Sequence, residues 1–272
     1  MQKLQAGNVL GCDISNNNGQ VDFSGFKASG IQFVYLKATE GVDFLDPFFA
    51  GNVQKAMAAG LPVGAYHFAT PSTAPNDAVA QARFFVNAMQ GKNLELCPVL
   101  DLEHHANEMA MSVPQLVDWV QAFRATVEDA VQKKLCLYTA KGYANANQDF
   151  NQALSDMPLW NASYWESPPT EVTLPDFGGW TDWVMWQFTD SGTLPGVNGH
   201  VDLNYARSIA AINVSLQDQY NVFQKQNDNE VFLRSFVNYD DAVAYAKQWA
   251  MGSVVRISDN QWMWDNFPKQ QA

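Results

Sequence analysis

Two acidic residues stand two positions apart at the end of an apolar run, in the stretch "CPVLDLEHH" from Cys97 to His105. Side chains alternate between the two faces of a strand, so Asp101 and Glu103 point the same way, with backbones about 6.6 Å apart. Such a pair suits glycosidic bond cleavage, in which one carboxyl group donates a proton and the other stabilises or attacks the sugar. The sequence leaves open both the shorter carboxyl separation of retaining enzymes and the longer one of inverting enzymes.

Three further acids occupy comparable positions at the ends of apolar runs. Asp13 ends "NVLGCDI", Glu40 follows "IQFVYLKA", and Asp202 lies in "GHVDLN". A parallel βα barrel carries its active site where the carboxyl ends of its strands meet. A closed barrel would therefore gather these acids at one mouth with Asp101 and Glu103. Clustered carboxyl groups raise one another's pKa, which keeps one of them protonated near neutral pH.

Aromatic residues occur at the same strand ends, namely Tyr66, Tyr138, Trp160 and Trp186. Aromatic rings cover the apolar faces of sugar rings, whereas carboxylates accept hydrogen bonds from sugar hydroxyls. The combination predicts a carbohydrate-binding pocket that needs no cofactor.

Histidines do not form a metal-binding pattern in this chain. His104 and His105 are adjacent, so on an extended backbone they point to opposite faces, and no ligand spacing such as HExxH is present. We expect no bound metal, and we expect His67 to be a hydrogen-bonded residue of the pocket wall rather than a base.

Short apolar runs alternate with helical patterns over the first two-thirds of the chain. Continuous apolar strands separated by helices predict parallel strands that are buried on both faces. Ser112 and Gln115 form a capping-box pattern before a helix of near-3.6 apolar period. Strands are expected at 8–14, 31–38, 61–68, 97–103, 134–139 and 158–164, and helices at 47–59, 75–90, 113–132 and 142–154. Two strands, 182–189 and 199–204, then follow without a helix, so we expect the series to close with β structure alone.

A domain boundary is expected near 213–218, which divides a barrel over 1–213 from a small domain over 218–272. The second segment predicts strands at 220–224 and 230–236, a helix at 239–249, and strands at 253–258 and 261–264, with a hairpin turn at 227–230. Trp262 and Trp264 share one face of the last strand. Exposed, these two rings would form a carbohydrate-binding platform, and buried they would form the core of this small α+β domain. Self-association is an alternative role for the domain.

The net charge of −12 argues against nucleic acid as a partner and against docking on anionic lipid. The three cysteines are far apart and lie in apolar runs, so they are expected to be buried reduced thiols. The first residues lack the long apolar core of a secretory signal, which predicts a cytosolic protein or one released by an unusual route.

Seven stretches resemble the glycoside hydrolase family 25 lysozymes, in the family's order and over about residues 9–207. They are "GCDISNNNGQVDF", "VYLKATEG", "GAYHFA", "PVLDLE", "LYT", "PLWNASY" and "WQFTDSGTLPGVNGHVDLN". The resemblance implies an irregular (β/α)5(β)3 TIM-like barrel. It also implies cleavage of the β-1,4 bond between N-acetylmuramic acid and N-acetylglucosamine in peptidoglycan. The small departures from the family motifs leave the four central acids untouched.

Residue roles follow from the same resemblance. Glu103 would be the general acid, and Asp101 would orient the substrate's acetamido group for attack on the anomeric carbon. Asp13 and Asp202 would complete the acidic cluster. The residues that would bind substrate are Tyr66, Tyr138, Trp186, Trp160 and, less securely, Glu40.

A muramidase without a secretory signal is typical of a phage endolysin that stays in the host cytoplasm until release and then acts on the wall. A small domain appended to a wall hydrolase usually serves targeting, so we expect the segment 218–272 to bind the cell wall. Two alternatives remain open from the sequence. One is a hydrolase of chitin-like N-acetylhexosaminides, and the other is a wall-binding protein with an inactive barrel.

Overall fold

The computed structural model describes residues 1–103, 111–145, 152–165, 173–177, 179–216, 220–226, 229–236, 239–256 and 261–267. The chain divides into two compact units, Met1–Asn213 and Val214–Ala272. Among the described residues, no helix is both long and apolar enough to cross a membrane.

Eight strands of the first unit form a closed barrel. These strands are β1 (Val9–Ile14), β2 (Phe33–Glu40), β4 (Val63–Phe68), β5 (Val99–Asp101), β6 (Cys136–Ala140), β7 (Leu159–Ala162), β8 (Met185–Gly192) and β9 (Val201–Ala206). Strand pairs from β1 through β2, β4, β5, β6 and β7 to β8 are parallel, and β9 closes the barrel with antiparallel pairing to both β8 and β1. The predicted irregular barrel is confirmed.

One short strand, β3 (Phe44–Leu45), was not expected from the sequence. It folds back antiparallel on the end of β2, outside the barrel wall. Two residues are too few to produce an apolar alternation that a sequence reading detects.

Helices cover the outside of the barrel and bury one apolar stripe each. Their bounds are α1 (Phe49–Ala58), α2 (Asp77–Met89), α3 (Val113–Val131) and the short α4 (Lys141–Asn145). The predicted start of α3 is confirmed, because the Ser112 backbone N–H donates to Gln115 Oε1 at 2.9 Å. The stripe of α3 that packs on the barrel is Leu116, Trp119, Val120, Phe123 and Val127. Within the helix expected over 142–154, residues 146–151 lie outside the described ranges, and the described residues 142–145 and 152–154 are helical.

The second unit is a four-stranded antiparallel sheet with one helix, in the predicted order of strand, strand, helix, strand, strand. Its elements are β10 (Tyr220–Gln226), β11 (Asn229–Phe236), α5 (Tyr239–Ala246), β12 (Gly252–Arg256) and β13 (Gln261–Asp265). The strand order is β11-β10-β12-β13. A small core joins the helix to the sheet through Tyr220, Val222, Ala242, Ala246 and Val254. The expected hairpin turn includes 227–228, which lie outside the described residues.

Candidate active site

Strand ends of the barrel converge on one open cleft, as the sequence predicts for a parallel barrel. The cleft is lined by Asp13, Ser15, Asn17, Lys37, Tyr66, Phe68, Asp101, Glu103, Tyr138, Trp160, Gln187 and Asp202. All four acids assigned to catalysis lie in this set. They come from β1, from the end of β5 and the turn after it, and from β9.

Asp101 and Glu103 enter the cleft from the same face of the chain. Asp101 is the last residue of β5, and Glu103 lies two residues beyond the strand. The side chain of the intervening Leu102 is fully buried in the core, and its backbone N–H donates to Tyr138 O at 3.0 Å. This bond prolongs the strand-like direction of β5, so the alternation expected from the sequence holds up to Glu103.

The two acids differ in exposure and therefore in their electrostatics. Asp101 is buried, whereas Glu103 is exposed. Burial, followed by the nearby charges of Glu103 and Asp13, raises the pKa of Asp101 well above its ordinary value. Burial among other acids thus favours the neutral form of this carboxyl group. Its Oδ1 is buried and has no hydrogen-bond partner among the described residues.

Asp13 and Asp202 face each other across the antiparallel pair of β1 and β9. Their carboxyl groups are hydrogen-bonded to each other. Asp13 Oδ2 also accepts Asn204 Nδ2 at 2.7 Å and Gln187 Nε2 at 3.1 Å. Burial and then the charge of Asp13 raise the pKa of Asp202 to about 9.

Three of the predicted aromatic residues line the cleft. Tyr66 is almost buried, and Tyr138 Oη donates to Gln187 Oε1 at 2.8 Å. Trp160 Nε1 donates to Asn204 Oδ1 at 2.9 Å, so this ring is fixed in the barrel interior. All three side chains are at most 9% exposed, so they line the cleft beside the acids mainly as buried residues.

Trp186 requires a correction, because it does not line the cleft. Its side chain is 0% exposed and packs against Trp183 and Phe188, and its indole N–H donates to Ser163 O at 2.8 Å. Strand alternation explains the error: Trp186 and its neighbour Gln187 point to opposite faces of β8.

Glu40 lies beside the cleft and is not among the described residues that line it. Its Oε2 accepts Lys37 Nζ at 2.6 Å, and Lys37 is the residue of this pair that reaches the cleft. The ammonium group of Lys37 also lies 4.9 Å from the ring centroid of Phe68. Glu40 therefore orients a cation beside the acids, a structural role that the sequence reading held open.

Gln187 and Asn204 are the residues that sequence reasoning missed. Both are buried, and both donate a side-chain amide hydrogen to Asp13. Their positions in the sequence could have indicated them, because Gln187 follows Trp186 in "WQFTD" and Asn204 stands two residues after Asp202, on the same face of its strand. A search limited to acids and aromatics passes over such amides.

His67 is fully buried behind the barrel wall, where its two ring nitrogens meet Thr39 Oγ1 at 2.8 Å and Gln81 Oε1 at 3.0 Å. Burial lowers the pKa of His67 to about 4. His67 is thus a satisfied structural histidine of the wall. His104 and His105 lie outside the described residues.

Comparison with known proteins identifies the family. The model of "Glycosyl hydrolases family 25" matches residues 12–197. Lysozyme M1 of Streptomyces globisporus is 33% identical over 210 residues, which make up 75% of this chain and 69% of the relative.

Two solved structures extend the comparison. The Clostridium perfringens spore cortex lytic enzyme SleM has a TM-score of 0.71 and 29% identity, and the match covers 99% of this chain and 92% of SleM. The CTP1L endolysin has a TM-score of 0.59 and 31% identity, over 73% of this chain and 66% of that one. The family match contains Asp13, Asp101 and Glu103 of the cleft. The chain therefore belongs to glycosyl hydrolase family 25 and is a glycoside hydrolase of the lysozyme type.

Proposed function

We propose that this chain is a muramidase that cleaves the β-1,4 bond between N-acetylmuramic acid and N-acetylglucosamine in peptidoglycan. The observation that carries the proposal is the joint placement of Asp101 and Glu103 in one cleft with Asp13 and Asp202, in a chain of a lysozyme family. Tyr66, Tyr138 and Trp160 line the same cleft beside these acids.

Glu103 is the general acid in this proposal. It stands at the exposed side of the cleft, where it can protonate the glycosidic oxygen as the bond to the anomeric carbon breaks. Asp101 binds the 2-acetamido group of the same sugar and directs its carbonyl oxygen to the anomeric carbon. Water then opens the cyclic intermediate with the help of Glu103, which gives net retention. The buried Oδ1 of Asp101 has no hydrogen-bond partner among the described residues, and a contact with the acetamido N–H would satisfy it.

The test is mass analysis of muropeptides from purified peptidoglycan, with labelled reducing ends. Wild type should release reducing N-acetylmuramic acid ends, and Glu103→Gln should lower the rate by about 10²–10⁴-fold, the usual contribution of a general acid. Glu95→Gln is the matched control, because Glu95 is an exposed carboxylate that precedes β5 instead of following it.

Two outcomes would contradict the proposal. Reducing N-acetylglucosamine ends, together with cleavage of chitin oligomers, would support the alternative of a chitin-like N-acetylhexosaminide hydrolase. Equal behaviour of wild type and Glu103→Gln on several wall types would mean that the barrel is inactive and only binds walls.

The unit Val214–Ala272 is proposed to bind the cell wall. Phe232 and Trp262 are 53% and 46% exposed, and exposed rings offer stacking surfaces for sugars. Sedimentation with purified walls should show weaker binding for Trp262→Ala and for Phe232→Ala than for wild type, with unchanged turnover on soluble muropeptides. Unchanged wall binding, combined with a concentration-dependent dimer that these variants disrupt, would favour self-association instead.

The biological setting proposed is release from a bacterial cytoplasm to act on the wall, as in phage lysis. The similarity to an endolysin supports it. A bacterium that expresses the chain in its cytosol should lyse only when its membrane is permeabilised. Signal-dependent export of the protein from the cell of origin would overturn this setting while leaving the muramidase assignment intact.

A further inference from the structure

Asp13 is the hub of a buried hydrogen-bond network that the reaction scheme above does not use. The Asp13 side chain is 6% exposed, and its Oδ2 accepts hydrogen bonds from the amides of Asn204 and Gln187. Burial raises the pKa of Asp13, and the hydrogen bonds from Asn204 and Gln187 lower it. An amide N–H donates and never accepts, so both contacts favour the charged carboxylate against the effect of burial.

Aromatic side chains of the cleft donate hydrogen bonds to the oxygen ends of both amides. Trp160 Nε1 donates to Asn204 Oδ1, and the hydroxyls of Tyr138 and Tyr164 both donate to Gln187 Oε1 at 2.8 Å. An indole N–H can only donate, and it therefore assigns the oxygen end of Asn204 without ambiguity. The nitrogen ends of both amides are then directed at Asp13.

The remaining partner of Asp13 is Asp202, and two carboxyl groups can hydrogen-bond only when one of them carries a proton. Because Asp13 already receives two N–H donors, the proton belongs to Asp202. We propose that Gln187 and Asn204 are positioning residues that hold Asp13 as the anion, so that Asp202 takes part in the muramidase reaction as a neutral hydrogen-bond donor. This inference rests on the proposed function, since it assigns a protonation state to the same cleft.

Several titratable groups face this pair from the neighbouring elements. Burial, Asp13, Asp190 and Glu103 all act to raise the pKa of Asp202, and Asp101 adds a further negative neighbour when ionised. The groups that face Asp13 or Asp202 are Cys12 from β1, Tyr66 from β4, Asp101 and Glu103 from the end of β5, Tyr164 after β7, and Asp190 from β8. Lys37 from β2 is the cation that lines the described part of the cleft.

Substitution of Asp202 by asparagine tests whether the reaction needs a neutral hydrogen-bond donor or an anion at this position. Asp202→Asn keeps an N–H donor toward Asp13 but cannot ionise, so it should retain activity within about tenfold of wild type. Asp202→Ala and Asp13→Asn should each lose about 10²-fold or more, the usual cost of a lost preorganised polar group. Beyond the fall that deprotonation of the general acid produces, wild type should show a further alkaline fall in kcat/KM near pH 9, where Asp202 ionises. That further fall should be absent from Asp202→Asn.

The positioning role of Gln187 and Asn204 is measured separately, from the acid limb of the pH profile of kcat/KM. Gln187→Met and Asn204→Leu each remove one donor from the Asp13 anion, so the acid limb should move to higher pH by about one unit. Asn161→Leu is the matched control, because Asn161 is a buried barrel amide on β7 that makes no described contact with Asp13. Its pH profile should follow wild type.

Direct titration of the carboxyl groups by ¹³C NMR makes the inference independent of turnover. With aspartate carboxyl carbons labelled and assigned through the single variants, Asp13 should report as ionised and Asp202 as protonated at pH 7. An Asp202→Asn enzyme as inactive as Asp202→Ala, or an ionised Asp202 at pH 7, overturns the inference. Absence of muramidase products from wild type would overturn the proposed function instead, and the NMR titration would still report on the pair.

Discussion

At the scale of single residues, burial decides how the acids of the cleft respond to pH. The pKa of Asp202 is raised to about 9, by burial first and then by Asp13. Between roughly pH 4 and pH 9 the folded chain therefore keeps a proton that the unfolded chain releases. The slope of unfolding free energy against pH is negative in this window, so this group costs stability as the pH rises.

We expect Asp202→Asn to remove that contribution. Relative to wild type, the variant should be more stable at pH 8 to 9, and the difference should shrink toward roughly pH 4, where the side chain is neutral in both states. Urea unfolding at several pH values measures the effect. Parallel pH dependences of wild type and variant would show that Asp202 ionises normally in the folded chain.

At the scale of elements, the barrel wall depends on glycines that leave room for aromatic rings on the next strand. Gly11 is paired with Phe33 across β1 and β2, and Gly64 is paired with Tyr35 across β2 and β4. A Cβ at Gly64 would lie 2.2 Å from the Tyr35 ring, and one at Gly11 would lie 2.3 Å from the Phe33 ring. Both rings are fully buried, so neither can move away without disturbing the interior.

Gly64→Ala should therefore destabilise the barrel by about 1–3 kcal/mol or more, the usual cost of overpacking. Gly51→Ala is the control, because Gly51 is an exposed residue of α1 with open space around its Cα. Replacing glycine inside a helix stabilises by up to about 1 kcal/mol. Urea midpoints of the two variants should thus shift in opposite directions, and a shift in the same direction would contradict the packing account.

At the scale of the whole molecule, the two units contain cores of very different size. The largest barrel cluster joins residues from β1 to β9 with those of the surrounding helices, whereas the described cluster that joins helix and sheet in the second unit has five buried residues. A small core buries little apolar surface per residue and opens more easily.

Backbone amides of β10, β11, β12 and β13 should accordingly exchange hydrogen faster than those of β1, β2 and β4. Hydrogen exchange followed by mass spectrometry on the full chain measures this by peptide. Protection of the second unit equal to that of the barrel would indicate that the two units unfold together.

Apolar runs that alternate with helical stripes predict parallel strands buried on both faces, and the resemblance to the family 25 lysozymes implied that these strands close into a barrel. Strand ends of a barrel share one mouth, so the convergence of the acids followed. The period of two also placed Asp101 and Glu103 on one face. The same period did not decide which face of β8 meets the cleft, because each face begins with an apolar or aromatic residue, Met185 on the face of Gln187 and Trp186 on the face of Phe188.

Tertiary structure decided what local pattern does not contain. It turned Gln187 rather than Trp186 into the cleft, and it paired Glu40 with Lys37. It also brought the amides of Gln187 and Asn204 to Asp13, across 174 and 191 positions of the chain. Hydrogen-bond partners and the pKa of a buried acid depend on atoms that only folding brings together. For that reason the sequence determined which acids meet, and the tertiary structure decided which of them carries the proton.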